Sequence, residues 1–103
     1  MAEITKIEPL SGKNYQSWKY NIKLVLMEHG LWGFVEGTEN TPNSTATDAV
    51  RNAYRLRLDK AYSLIALSVD KSLQVHISST TDPRAAWEVL QKQFECVSKA
   101  QII

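Results

Sequence analysis

Asn14-Tyr15-Gln16-Ser17-Trp18-Lys19-Tyr20-Asn21-Ile22-Lys23-Leu24-Val25-Leu26-Met27-Glu28-His29-Gly30 is the stretch whose periodicity separates helix from strand. Tyr15, Trp18, Ile22, Val25 and Leu26 recur at i, i+3, i+4 and i+7, the rhythm of one buried helical face. Lys19 and Lys23 fall off that face. The spacing predicts a helix from Tyr15 to about His29, with Asn14 as N-cap. Gly30 stands where a left-handed C-cap glycine stops a helix, and His29 lies near the negative end of the dipole.

Reading outward from that helix, Leu31-Trp32-Gly33-Phe34-Val35 is a dense apolar cluster. Gly33 argues against a long helix and for a short helical turn or an irregular segment, with Leu31, Trp32 and Val35 covering one end of the core. Glu36 to Thr47 contains almost nothing apolar and is expected to be a mobile surface loop. A second long helix is predicted from about Asp48 to Val69, capped by Thr47. Its stripe is Val50, Tyr54, Leu58, Ala61, Tyr62, Ile65 and Val69, and Leu64 and Leu67 widen the apolar face. A short helical piece between Asp70 and Ser78 holds Leu73, Val75, His76 and Ile77. Asp82-Pro83 then starts a last helix, because Asp caps and Pro fits the first helical position. Ala86, Trp87, Leu90, Phe94 and Val97 share one face of it. Before all of these, residues 1–13 read as an N-terminal arm. Pro9 and Ser11-Gly12 bend it, Ile7 and Leu10 lie on the core, and a short strand there has no evident partner.

The chain has 103 residues, the size of one domain. With only 4 Gly and 3 Pro it lacks the punctuation of a turn-rich β fold, so the expected fold class is all-α, a compact bundle of four to five helices. Twelve basic residues against eleven acidic leave a net charge of +1, which disfavours a polybasic nucleic-acid module. No secretory leader and no membrane-length apolar run appears, so a cytoplasmic, non-secreted location without a membrane partner is expected.

The chemistry-bearing residues point away from catalysis. Cys96 is the single cysteine, and His29 and His76 are separated, so neither a Cys–His nucleophile nor a zinc site is spelled out. No glycine-rich phosphate loop and no nucleophile elbow is present. No catalytic residue, metal ligand, cofactor or small-molecule substrate is therefore expected. Tyr15, Trp18, Tyr62, Trp87 and Phe94 sit on apolar stripes and are assigned to the core. Trp32 and Phe34, beside a glycine turn, are expected to be partly exposed and are candidates for a contact surface. Arg51, Tyr54 and Arg55 form a second candidate surface. Arg51, Arg55, Arg57 and Lys60 are the densest basic run. The bland reading is a solvated face balanced by Asp48 and Asp59.

Four phrases then stand in order. They are Leu10-Ser11-Gly12-Lys13-Asn14-Tyr15-Gln16-Ser17-Trp18, Gly30-Leu31-Trp32-Gly33-Phe34-Val35-Glu36-Gly37, Ala61 to Val69, and Ala86-Trp87-Glu88-Val89-Leu90-Gln91-Lys92-Gln93-Phe94. Together they resemble the Gag polyproteins of copia-type long-terminal-repeat retrotransposons, over about residue 7 to the end. The resemblance implies an N-terminal capsid lobe of the retroviral or retrotransposon type, spanning about residues 14–103. It implies self-association into virus-like particles that package RNA, a second capsid lobe as partner, and RNA contacts mainly outside this stretch. The two isoleucines at the end fit a cut within a longer polyprotein. A domesticated relative with a cellular role fits equally. Two other readings are a helical protein-interaction adaptor with a groove at Trp32 and Phe34, and a small RNA-binding domain using the Arg51/Arg55/Arg57/Lys60 face.

Overall fold

The computed structural model describes residues 7–102, with side chains described through residue 95. Five helices follow in order: α1 Tyr15–Glu28, α2 Trp32–Glu36, α3 Asp48–Leu67, α4 Lys71–Gln74 and α5 Pro83–Ile102. The fold is all-α, with no strand among the described residues. α3 packs along α5, α2 sits on α5 and α3, and α1 packs on α2 and α3.

Helix α1 buries the face its sequence predicts: Tyr15, Trp18, Ile22, Val25 and Leu26. Asn14 occupies the N-cap position, but its side chain caps nothing in the helix. Its Oδ1 accepts from the Ser11 amide at 2.9 Å and its Nδ2 donates to the Pro9 carbonyl at 3.0 Å, so it closes the preceding turn instead. At the other end Gly30 adopts φ +71°. The Gly30 amide donates to Met27 and the Leu31 amide to Leu26, the paired bonds of a Schellman stop. Leu26 and Leu31 are both buried, which supplies the hydrophobic contact that accompanies such a stop.

The starts of α3, α4 and α5 are local and follow their caps. Thr47 Oγ1 accepts from the Val50 amide at 3.2 Å, Asp70 accepts from the Ser72 amide at 3.1 Å, and Asp82 accepts from the Ala85 amide at 2.9 Å. Pro83 is the buried first residue of α5. Ala86, Trp87 and Leu90 are buried on α5 and Phe94 packs half-buried against them, while the expected role of Val97 and the side chain of Cys96 lie outside the described residues.

Three expectations are revised by the structure. α3 ends at Leu67, not Val69, because residues 68–70 turn to pair with the arm. The Leu10 amide donates to the Ser68 carbonyl at 2.9 Å and the Asp70 amide to the Leu10 carbonyl at 3.0 Å, forming one parallel bridge. The first half of α3 projects past the core, so Val50 is 51% exposed, and Leu67 faces water at 56%. After α4 the chain continues in turns, with Val75 exposed and Ile77 buried.

The centre of the core is Trp18. Its indole stacks on Trp87 with centroids 5.6 Å apart, and its Nε1–H donates to the Ser68 carbonyl and hydroxyl, each at 3.0 Å. The Ser68 hydroxyl in turn donates to the Ile65 carbonyl at 2.7 Å. Tyr15 stacks on Phe94 and donates to Glu95 at 3.1 Å; burial, and then Glu95, push its hydroxyl above the ordinary tyrosine range. Core aromatics Tyr15, Trp18 and Trp87 are thus buried, and Tyr62 and Phe94 pack half-buried at the margin.

Trp18→Phe removes a buried donor and leaves a void, and should cost about 2–3 kcal/mol in urea unfolding. Ser68→Ala leaves the Ser68 carbonyl to accept the indole and should cost only about 1 kcal/mol. Equal small losses from both would show that the indole is not the centre of the core.

Candidate functional site

Two clefts carry the sequence-predicted surface residues. The first lies where the 41–44 loop crosses the exposed half of α3. Arg51, Tyr54, Arg55 and Leu58 lie within one face's reach at helical spacing, and the loop opposes them with Thr41, Pro42, Asn43 and Ser44. The cleft volume is about 410 Å³. Arg51 donates from Nη2 to the Ser44 carbonyl and so ties the loop to the helix.

The base of that loop is held by Arg57. Its guanidinium grips both oxygens of Glu39, at 2.9 and 3.0 Å, and donates to the Gly30 carbonyl at 2.7 Å. The same guanidinium lies 5.1 Å from the centroid of the Phe34 ring. The loop expected to be mobile is therefore fastened to α3 at two points. At Gly37, which closes α2 with φ +88°, an added Cβ would collide with the Arg84 guanidinium.

One sequence expectation is corrected here, and one alternative reading is narrowed. Phe34 is not a surface residue: it is buried, with its ring 5.5 Å from that of Tyr54 and Arg57 above it. Gly33 is itself part of helix α2, which turns Phe34 and Val35 inward and leaves Trp32 half-buried at the edge. Nor do Arg51, Arg55, Arg57 and Lys60 form one basic face. Arg57 is taken up by Glu39 and Gly30, and Lys60 lies nine residues after Arg51, about two and a half turns on, so it points to the opposite side. Arg51, Tyr54 and Arg55 do come together.

The second cleft, also about 410 Å³, lies between α1 and α5 and includes Lys19, Tyr20, Lys23, Trp32 and Trp87. Trp32 meets Trp87 edge-on at 5.2 Å, and the Lys23 ammonium sits 5.3 Å from the Trp32 centroid. Lys19 is engaged by Glu95 at 3.1 Å. Beside this cleft the outer face of α1 presents Tyr20, Leu24 and Met27, which are 63%, 43% and 52% exposed. They are spaced i, i+4 and i+7, so they form a second apolar stripe opposite the buried one. Sequence reading missed this stripe, although the spacing was visible, because Lys19 and Lys23 marked that side as polar.

Among the described residues no group of three or more His, Cys, Asp or Glu side chains could hold a metal ion. No helix there is long and apolar enough to cross a membrane.

A family model described as gag-polypeptide of LTR copia-type matches residues 22–102. The chain belongs to this copia-type Gag family. The match opens inside α1 and runs through α5, so it takes in the whole of the first cleft and the Lys23, Trp32 and Trp87 side of the second. No curated protein and no solved structure matches the chain. Membership of this family supports a structural Gag role for the domain.

The Arg57 clamp is sensitive to acid. Hydrogen bonds from Arg57, outweighing a smaller opposing push from burial, hold the Glu39 carboxyl below its ordinary value. The unfolded chain therefore takes up this proton first, and the stability contributed by the clamp is present above the ordinary glutamate value, about 4.3, and is lost as pH falls below it. Denaturation curves from pH 7 to pH 3 should show this loss in the native Gag domain and a flatter profile in Glu39→Gln. Identical profiles would mean that Glu39 does not hold the loop.

Proposed function

We propose that this Gag domain self-associates through the outer face of α1, as a capsid-type lobe of particles that package the element's RNA. The observation that carries this reading is the stripe of Tyr20, Leu24 and Met27, beside half-buried Trp32, on a domain of the Gag family. Apolar surface left in water favours association at about 25 cal/mol per Å² covered. Three side chains and a cleft edge fall well short of the roughly 1,000 Å² that a stable pair needs. Single contacts are then weak, and only their repetition by symmetry builds a lasting assembly.

The setting of this role is the cytoplasm, with a second capsid lobe and further copies of the chain as partners. A captured, domesticated Gag would use the same surface. The near-neutral charge of +1 supports placing most of the RNA contact outside the domain.

Sedimentation velocity and electron microscopy across a concentration series test the reading. The native chain should associate as concentration rises, and the double variant Leu24→Glu/Met27→Glu should stay monomeric with an unchanged circular dichroism spectrum. Strictly monomeric behaviour of the native chain at millimolar concentration, or undiminished association of the variant, would overturn it.

A further inference from the structure

The cleft between the 41–44 loop and α3 is not used by the α1 contact. Arg51 and Arg55 stand one turn apart at its rim. Arg55 is exposed and has no ion pair or hydrogen bond shown among the described residues. Arg51 uses Nη2 on the Ser44 carbonyl, which leaves further guanidinium donors available. Tyr54 and Leu58 supply an aromatic and an aliphatic wall, with Pro42 opposite. The volume of about 410 Å³ lies in the range of small-ligand sites.

We propose that this cleft binds a nucleoside phosphate unit, with the base seated against Tyr54 and Leu58 and the phosphate on Arg51 and Arg55. Guanidinium pairs match phosphate oxygens in a bidentate manner, and a base stacks on an aromatic wall whatever its identity. An acidic peptide would engage the arginines but leave the Tyr54–Leu58–Pro42 walls without a flat partner. Asp48 and Asp59, on the same helix, oppose an extended polyanion track and favour a single unit. In an assembly the same weak site recurs in every copy, so many single-unit contacts on one strand would add up. The proposal deepens the packaging role proposed above, and it is tested apart from self-association.

The test is a titration of the Leu24→Glu/Met27→Glu variant, chosen to block the proposed α1 contact, followed by residue-resolved NMR at low salt. The probes are uridine monophosphate, a single-stranded oligouridylate, uridine and a polyglutamate peptide. Both phosphate-bearing probes should shift signals of residues 41–44 and 54–58, with uridine binding more weakly. Tighter binding of the oligomer than of the monophosphate, per nucleotide, makes single-stranded RNA the source of the ligand; equal binding makes it a free nucleotide. Arg55→Gln should weaken binding about tenfold with the fold intact. Absence of binding at low salt, tighter binding of polyglutamate, or indifference to Arg55→Gln would overturn the proposal. None of these results depends on whether the native chain assembles.

Discussion

A single buried donor, the Trp18 indole N–H, must find an acceptor in the core, and Ser68 provides it. A buried polar group left unpaired costs about 1–3 kcal/mol, so this contact fixes where the end of α3 can lie. The Ser68 carbonyl also accepts from Leu10, which draws the arm onto the same point. The Trp18 ring also stacks on Trp87, and so α5 is placed as well. Arm, α1, α3 and α5 are thus joined at one residue pair fifty positions apart.

That arrangement leaves α1 with two unlike faces. The inner face is committed to the Trp18 core, and the outer one carries Tyr20, Leu24 and Met27 into water. It also leaves the first half of α3 projecting, with room for the 41–44 loop to fold back over it. The Arg57–Glu39 clamp then turns a polar loop into a cleft wall. The two surfaces are separate consequences of one core, one apolar and proposed to meet copies of the chain, the other carrying Arg51 and Arg55 and proposed to take an anion.

Much of this was legible in local sequence. The inner face of α1, the stop at Gly30 and the caps Thr47 and Asp82 depend on residues within one turn of each other, and each behaves as its sequence predicts. Asn14 is the exception, because two acceptor and donor partners in the preceding turn outcompete the helix end. Long-range facts were not legible. The burial of Phe34 depends on Tyr54 and Arg57, and the capture of Arg57 on Glu39 eighteen residues earlier. The predicted stripe of α3 was continued through Val50 and Leu67 because periodicity says nothing of where the opposing elements end. Of the candidate surface, Arg51, Tyr54 and Arg55 meet in one cleft, Trp32 lies at the edge of the other, and Phe34 leaves the surface altogether.

On the proposed reading α1 holds the core with one face and other copies of the chain with the other. A residue-resolved NMR concentration series with hydrogen exchange reads both faces at once. Side-chain signals of Tyr20, Leu24 and Met27 should move with concentration, while the Trp18 indole N–H stays unshifted and exchanges only with global unfolding. Concentration-dependent shifts confined to other surfaces, or a Trp18 indole that exchanges as fast as that of Trp32, would contradict the account.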